Sequence, residues 1–381
     1  MARLAWLAAL SATAAIAILV AFRGQAAAQD GATCTRIDGY LSFCLNVPAT
    51  GARRETTIPL VSLPTARADV RVETTVPGSD AAALTADVDR SVERVEALFR
   101  HAFDPRPRVL LFGTSASFAT ATRELFGYSA ENSAYVASTY GGIFDRGTMT
   151  IALNWSSAGS SRMSAAIEHE LSHLMIREVT GNAEIPAWLD EGIATAIEQD
   201  AAANAPWTQD DVLAGRAVAQ TGLVSLAELE SVSDFHSAYA RIGRPLYGYV
   251  AEAVRGLEAR IGWDGVLDLL RAANAGAHID AAYYARAGES LAAVEARLGR
   301  RGPEIAVSSF DDSGNVRWTL LSGTPGADMM VRIDGGPGYR VTFTVRTDAL
   351  GMYRGSFGST AAPGLYTVRA AGAEATFSTG R

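Results

Sequence analysis

The chain has 381 residues, 48% of them hydrophobic, which is enough to bury a substantial core and, by length, to build two or three domains. Its formal net charge of −8 argues against a nucleic-acid partner. All 33 basic residues are arginine, and no chemistry follows from that bias.

Residues 1–28 read as an export signal: Arg3, an uncharged apolar run over residues 4–22, then Ala26-Ala27-Ala28 before Gln29, an A-x-A cleavage site. The run of 19 residues also reaches the length that spans a bilayer, so an uncleaved membrane anchor is the alternative to removal. Either outcome places the remainder outside the cytoplasm, secreted or periplasmic. Cys34 and Cys44 are the only cysteines, and in an exported chain a pair so close in sequence is expected to close a small disulfide loop within an N-terminal segment 29–66. With Pro48, Gly51, Pro59 and Pro64, the stretch 45–66 reads as an extended connection.

From Ala68 the pattern becomes α/β. Val70, Val72 and Thr74 alternate as a strand, and residues 80–103 read as a helix with Leu84, Val88, Val92, Val95 and Leu98 on its inner face. Residues 108–113 form a short buried strand and 115–126 another helix. Residues 147–153 alternate as a further strand, with Met149, Ile151 and Leu153 on one side.

The chemistry concentrates in residues 167–199. His169-Glu170-Leu171-Ser172-His173 is an H-E-x-x-H pattern, in which two histidines four residues apart project from one helix face and can meet one metal ion. Glu170 then lies beside the metal's open position, where a carboxylate can take a proton from bound water. Zinc needs a third protein ligand, and the candidate is Glu191, 18 residues after His173. Gly181 ends the first helix and Pro186 suits the first turn of a second, which brings Glu191 back opposite the histidines. Its neighbour Asp190 is expected to point about 100° away. A closed structural zinc site is disfavoured, because this region has no cysteine.

Together with Pro186-Ala-Trp-Leu-Asp-Glu191-Gly-Ile-Ala194, this motif resembles the gluzincin metallopeptidases, specifically the peptidase MA-like group with its P-x-W-L-x-E-G-x-A signature. The resemblance implies His169, His173 and Glu191 as zinc ligands, Glu170 as the catalytic carboxylate, and an α+β zincin-like domain over residues 67–300 with a mixed-sheet upper lobe and a helical lower lobe. It also implies that the strand at 147–153 is an edge strand against which an extended substrate pairs, the alternative being an ordinary internal strand. Many gluzincins orient a ligand histidine with a carboxylate four residues after the third ligand, where this chain has Thr195. The family pattern also puts an oxyanion-stabilising tyrosine at the start of the helix after the zinc segment. Tyr239 matches best, with His236, Tyr247 and Tyr249 as rivals. An aminopeptidase would need a site for a free amine, and no G-x-M-E-N-type stretch precedes His169.

Residues 208–217, 225–231, 236–261, 263–274 and 289–298 carry helical apolar spacing. Beyond Gly299 to Pro303 the spacing shortens to alternating runs at 316–321, 330–333, 339–346, 352–357, 365–369 and 373–377, and residues 303–381 are expected to form a small all-β sandwich resembling bacterial immunoglobulin-like modules. Its expected role is a spacer or a module for a cell-surface partner. The reading is an exported zinc endopeptidase acting on peptide or protein substrates. The alternative is a non-catalytic surface-binding or assembly protein on a zincin scaffold.

Overall fold

The computed structural model describes residues 54–145, 148–181, 183–310, 316–335, 338–357 and 364–379, together with the backbone of two strands, β1 (Thr33–Ile37) and β2 (Leu41–Leu45). These two strands pair antiparallel with Cys34 opposite Cys44. The expected disulfide is a matter of side chains outside the described residues, and so is the expected export signal at 1–28. No helix among the described residues is long and apolar enough to cross a membrane.

A five-stranded mixed sheet forms the upper layer. Its strands are β3 (Leu60–Leu63), β4 (Asp69–Glu73), β5 (Arg108–Phe112), β6 (Gly142–Asp145) and β7 (Thr150–Asn154), in spatial order β3-β4-β5-β7-β6. β4, β5 and β7 run parallel, and β3 and β6 flank them antiparallel. β5 and β7 are buried at every residue, as central parallel strands covered on both faces must be. Alternation divides β5 between two cores. Val109 and Leu111 face α1 (Gly78–Phe99), which offers Leu84, Val88, Val92 and Val95 at helical spacing. Leu110 and Phe112 face α2 (Ser115–Phe126) and α3 (Ala130–Thr139). α2 opens with a capping box between Thr114 and Ser117.

The lower layer is helical: α4 (Trp155–Thr180), α5 (Ala187–Ala201), α6 (Pro206–Thr221), α7 (Val232–Ile242), α8 (Pro245–Asn274), α9 (Ile279–Ala287) and α10 (Leu291–Leu298). The run expected over 236–261 is two helices, because Gly243 turns at φ 74° and Pro245 starts a new helix with a ring that cannot continue the old one. Gly262, at φ 71° and ψ 165°, breaks α8 into two helical segments, at the point where the sequence places a boundary. The expected edge strand is likewise corrected. Residues 150–154 lie inside the sheet, the internal alternative, and the edge on that side is β6, a four-residue strand that the apolar alternation of its longer partner had concealed.

Seven strands follow: β8 (Glu304–Phe310), β9 (Val316–Leu321), β10 (Asp328–Gly335), β11 (Tyr339–Arg346), β12 (Met352–Phe357), β13 (Gly364–Ala370) and β14 (Ala373–Thr379). They form two antiparallel sheets, β12-β9-β8 and β11-β10-β13-β14, closed on a core of Trp318, Leu320, Val331, Ile333, Phe357, Tyr366 and Val368. Leu321 and Met352 leave that core and pack on Leu213, Ala214 and Ala217 of α6. The architecture is therefore α+β with an all-β C-terminal sandwich.

Candidate metal centre

α4 ends where Gly181 adopts a left-handed φ of 56°, and α5 starts after Pro186 and packs back on α4. Trp188 and Leu189 are fully buried, which fixes the rotation of α5. Gly192 follows Glu191 because α8 passes there at backbone distance. A Cβ at 192 would stand 2.6 Å from the Val250 carbonyl oxygen. With both helices so fixed, His169, His173 and Glu191 converge. The two Nε2 atoms lie 3.2 Å apart, and Glu191 Oε2 is 3.6 Å from each.

Those separations suit zinc. With ligand bonds of about 2.0–2.1 Å, the edge of a coordination tetrahedron is about 3.3 Å. The nitrogen donors and the single carboxylate match the usual donor set of a three-ligand zinc site, and three protein ligands leave one position for water.

The outer imidazole nitrogens are also held. His173 Nδ1 donates to Asp190 Oδ1 at 2.7 Å, and His169 Nδ1 donates to Glu198 Oε2 at 3.1 Å. Both bonds fix the tautomer that presents Nε2 to a metal. Sequence reasoning missed these two partners. Asp190 does lie about 100° around α5 from Glu191, and that rotation carries it to the outer nitrogen of His173 rather than away from the site. Glu198 is seven residues beyond Glu191, two turns on along the same face, a spacing that could have found it. Thr195 is fully buried, and its Oγ1 has no hydrogen-bond partner among the described residues. Glu198 Oε1 in turn accepts from Arg244 Nη2 at 2.9 Å, and Arg244 Nε donates to Asp211 Oδ2 at 3.1 Å.

The charges follow from this packing. Burial pulls the pKa of His169 down, but its bonds to Glu191 and Glu198 outweigh that and carry it up to about 9. His173 is opposed by burial and lifted well above its ordinary value by Asp190 and Glu191. Burial works against ionisation of Glu191, yet the two histidines hold it far below the usual carboxylate range. Glu198, also buried, is held at about 2 chiefly by Arg244. Glu170 is lifted to about 7 by burial, against the pull of the histidines.

Glu170 lies against edge strand β6. A Cβ at Gly142 would stand 3.0 Å from Glu170 Oε1 and 3.1 Å from its Cγ, so the glycine makes room for this carboxylate. Two residues along, the Phe144 ring stacks on His173, centroids 4.6 Å apart and planes 13° from parallel. The side chain that β6 lays over His173 is apolar, not acidic.

A row of aromatic rings closes the other side. Tyr247 of α8 sits 6.2 Å from the His169 ring, Tyr239 of α7 is 5.4 Å from Tyr247, and Tyr140, at the end of α3, stacks on Tyr239 at 6.2 Å. Tyr239 is thus brought to the site's margin, one ring removed from His169, and its rival Tyr247 is the nearer. The other two rivals point elsewhere. Tyr249 donates to Glu295, and His236 Nδ1 lies 2.7 Å from the Val232 carbonyl oxygen.

Among curated proteins, none matches the chain in sequence. Solved structures that resemble it include yeast LTA4 hydrolase, at 16% identity and a TM-score of 0.40 over 62% of this chain. Another is aminopeptidase A of Legionella pneumophila in complex with aspartic acid, at 12% identity and a TM-score of 0.35 over 79% of this chain. The match spans 38% of the first protein's length and 35% of the second's. Residues 121–299, just under half of the chain and inclusive of every residue of the candidate centre, match the family model of the Peptidase MA superfamily.

Proposed function

We propose that the protein is an exported zinc metallopeptidase that cleaves peptide bonds, as an endopeptidase, with His169, His173 and Glu191 as ligands and Glu170 as general base. The observation that carries this reading is the convergence of three ligand atoms at 3.2–3.6 Å, with both outer imidazole nitrogens already held by carboxylates. A zinc ion bound there supplies Lewis acidity, polarising the substrate carbonyl and making water a nucleophile near neutral pH.

The chain's own residues do the rest. Asp190 and Glu198 hold the imidazoles in the required tautomer. Glu170, beside the position left open by the three ligands, would accept the proton of the attacking water and pass it to the leaving amine. Tyr247 and Tyr239 are the candidate donors to the developing oxyanion. An extended substrate pairs its main chain with edge strand β6. The apolar Phe144 that this strand stacks on His173 favours an internal segment of chain over a free amine.

The test is new peptide termini, detected by mass spectrometry after incubation with a mixed peptide library, with Glu170→Gln as control. Cleavage by the unmodified protein alone supports the peptidase. Equal silence from both, in protein shown to hold one zinc, refutes it in favour of a zinc-binding scaffold without turnover.

A further inference from the structure

The C-terminal sandwich looks like an appendage in the sequence, but its contacts run toward the metal centre. Helix α6 stands between the two. On its outer side, Asp210 accepts from Thr319 Oγ1 at 2.6 Å and from Arg354 Nε at 2.9 Å, both on the sandwich. Arg216 reaches from the same helix to the buried Glu252 of α8 at 2.7 Å and on to Glu304, where the sandwich begins. Between these ties lies the apolar seam of Leu213, Ala214 and Ala217 against Leu321 and Met352.

On its inner side, the very next residue, Asp211, accepts from Arg244, which donates to Glu198, which holds His169. The Arg244 guanidinium also lies 5.6 Å above the Tyr247 ring. Little slack exists between α6 and α8. A Cβ at Gly215 would stand 2.1 Å from the Gly248 carbonyl carbon, and one at Gly248 would stand 2.2 Å from the Asp211 carbonyl oxygen. The backbones are in direct contact beside Tyr247, so a displacement of α6 is passed to α8 rather than absorbed by side chains.

We propose that Arg244 and Asp211 are positioning residues for ligand His169, and that the sandwich, by clamping α6 through Asp210, is a working part of the metal centre. The proposal rests on the zinc-peptidase reading only in taking His169 as a ligand. A guanidinium shared between two carboxylates fixes Glu198 in one rotamer, and Glu198 fixes the His169 ring. Removing one support leaves the ligand present but less well aimed.

The test measures zinc affinity of the full chain by competition with a chromophoric chelator, and melting of the zinc-free protein as a check on folding. Arg244→Gln and Asp211→Asn are expected to weaken zinc about 10-fold or more, with Arg244→Lys restoring part of the loss. Thr319→Val with Arg354→Ala, which frees Asp210, is expected to weaken zinc severalfold, and to add nothing in the Asp211→Asn background. Two results overturn the proposal: zinc affinity unchanged in Arg244→Gln and Asp211→Asn, or unchanged in the sandwich pair although limited proteolysis at residues 299–303 shows the sandwich loosened. An unmodified protein that binds no zinc would instead refute the metal-centre reading, and the two failures are read from different samples.

Discussion

Glu198 and Thr195 give the sharpest comparison in the site. Both lie on α5 beyond Glu191, and the gluzincin pattern points to the position of Thr195 for the carboxylate that orients a ligand histidine. The geometry gives that task to Glu198, 3.1 Å from His169 Nδ1 and only 11% exposed. A hydrogen bond to a charged partner contributes about 1.5–3 kcal/mol. Its removal by Glu198→Ala should therefore weaken zinc roughly 10- to 150-fold, close to the range of about 10- to 100-fold typical of partners behind a ligand histidine. Thr195→Val keeps the buried shape and removes an oxygen that makes no hydrogen bond, so zinc affinity should stay within about twofold and stability should not fall. The assay is chelator competition on purified zinc-free protein at neutral pH, paired with kcat/KM on one cleaved peptide. If Thr195→Val loses zinc while Glu198→Ala keeps it, the assignment of the orienting carboxylate is wrong.

The remaining expectations follow from the same geometry. Without zinc, stability should decline as pH rises from 6.5 through 9, because the raised pKa of His169 stabilises the fold only while the ring is protonated. The His169 share of the loss should reach about 3 kcal/mol at most; His173, lifted well above its ordinary value, adds to it in the same direction, and the share of Glu170, raised to about 7, is lost mainly at lower pH, between about 4.5 and 7. Denaturant melts across that range should show the decline in zinc-free protein and a much flatter profile with zinc, since coordination needs the neutral ring. Gly142→Ala should press on the Glu170 carboxylate and lower kcat several-fold, with zinc affinity unchanged, as chelator competition beside single-turnover kinetics would show. Gly215→Ala forces a side chain into the Gly248 backbone and should destabilise by about 3 kcal/mol or more in chemical denaturation. Of the two tyrosines, Tyr247→Phe should lower kcat more than Tyr239→Phe, because Tyr247 adjoins His169 directly.

What could be read from the chain in advance was whatever repeats with a local period. The inner face of α1, the buried strand β5 and the pairing of His169 with His173 all follow from spacing within one element. Glu191 was legible because Gly181 and Pro186 punctuate the return of the chain. Asp190 and Glu198 were not, since their partners sit on another helix and only the packing angle of α4 against α5 decides which side chain meets an outer imidazole nitrogen. Edge strand β6 was hidden for a different reason. Four residues that begin with glycine carry no detectable alternation, while the longer stretch beside it does. The ties of Asp210 and Asp211 belong to neither category, because two adjacent acids on an amphipathic helix look like a solvated face until something packs on both sides of it.

On the proposed peptidase reading, the shortness of β6 sets a ruler for substrates. Four residues at about 3.3 Å each offer roughly 13 Å of rail, and in an edge strand only alternate residues turn their N–H and C=O outward. About two residues of β6 are then free to grip, which matches an extended peptide of some three to four residues around the cut. In a series of peptides of increasing length, kcat/KM should climb steeply to that size and then level off. Recognition that discriminates among longer sequences would have to come from surfaces beyond this strand.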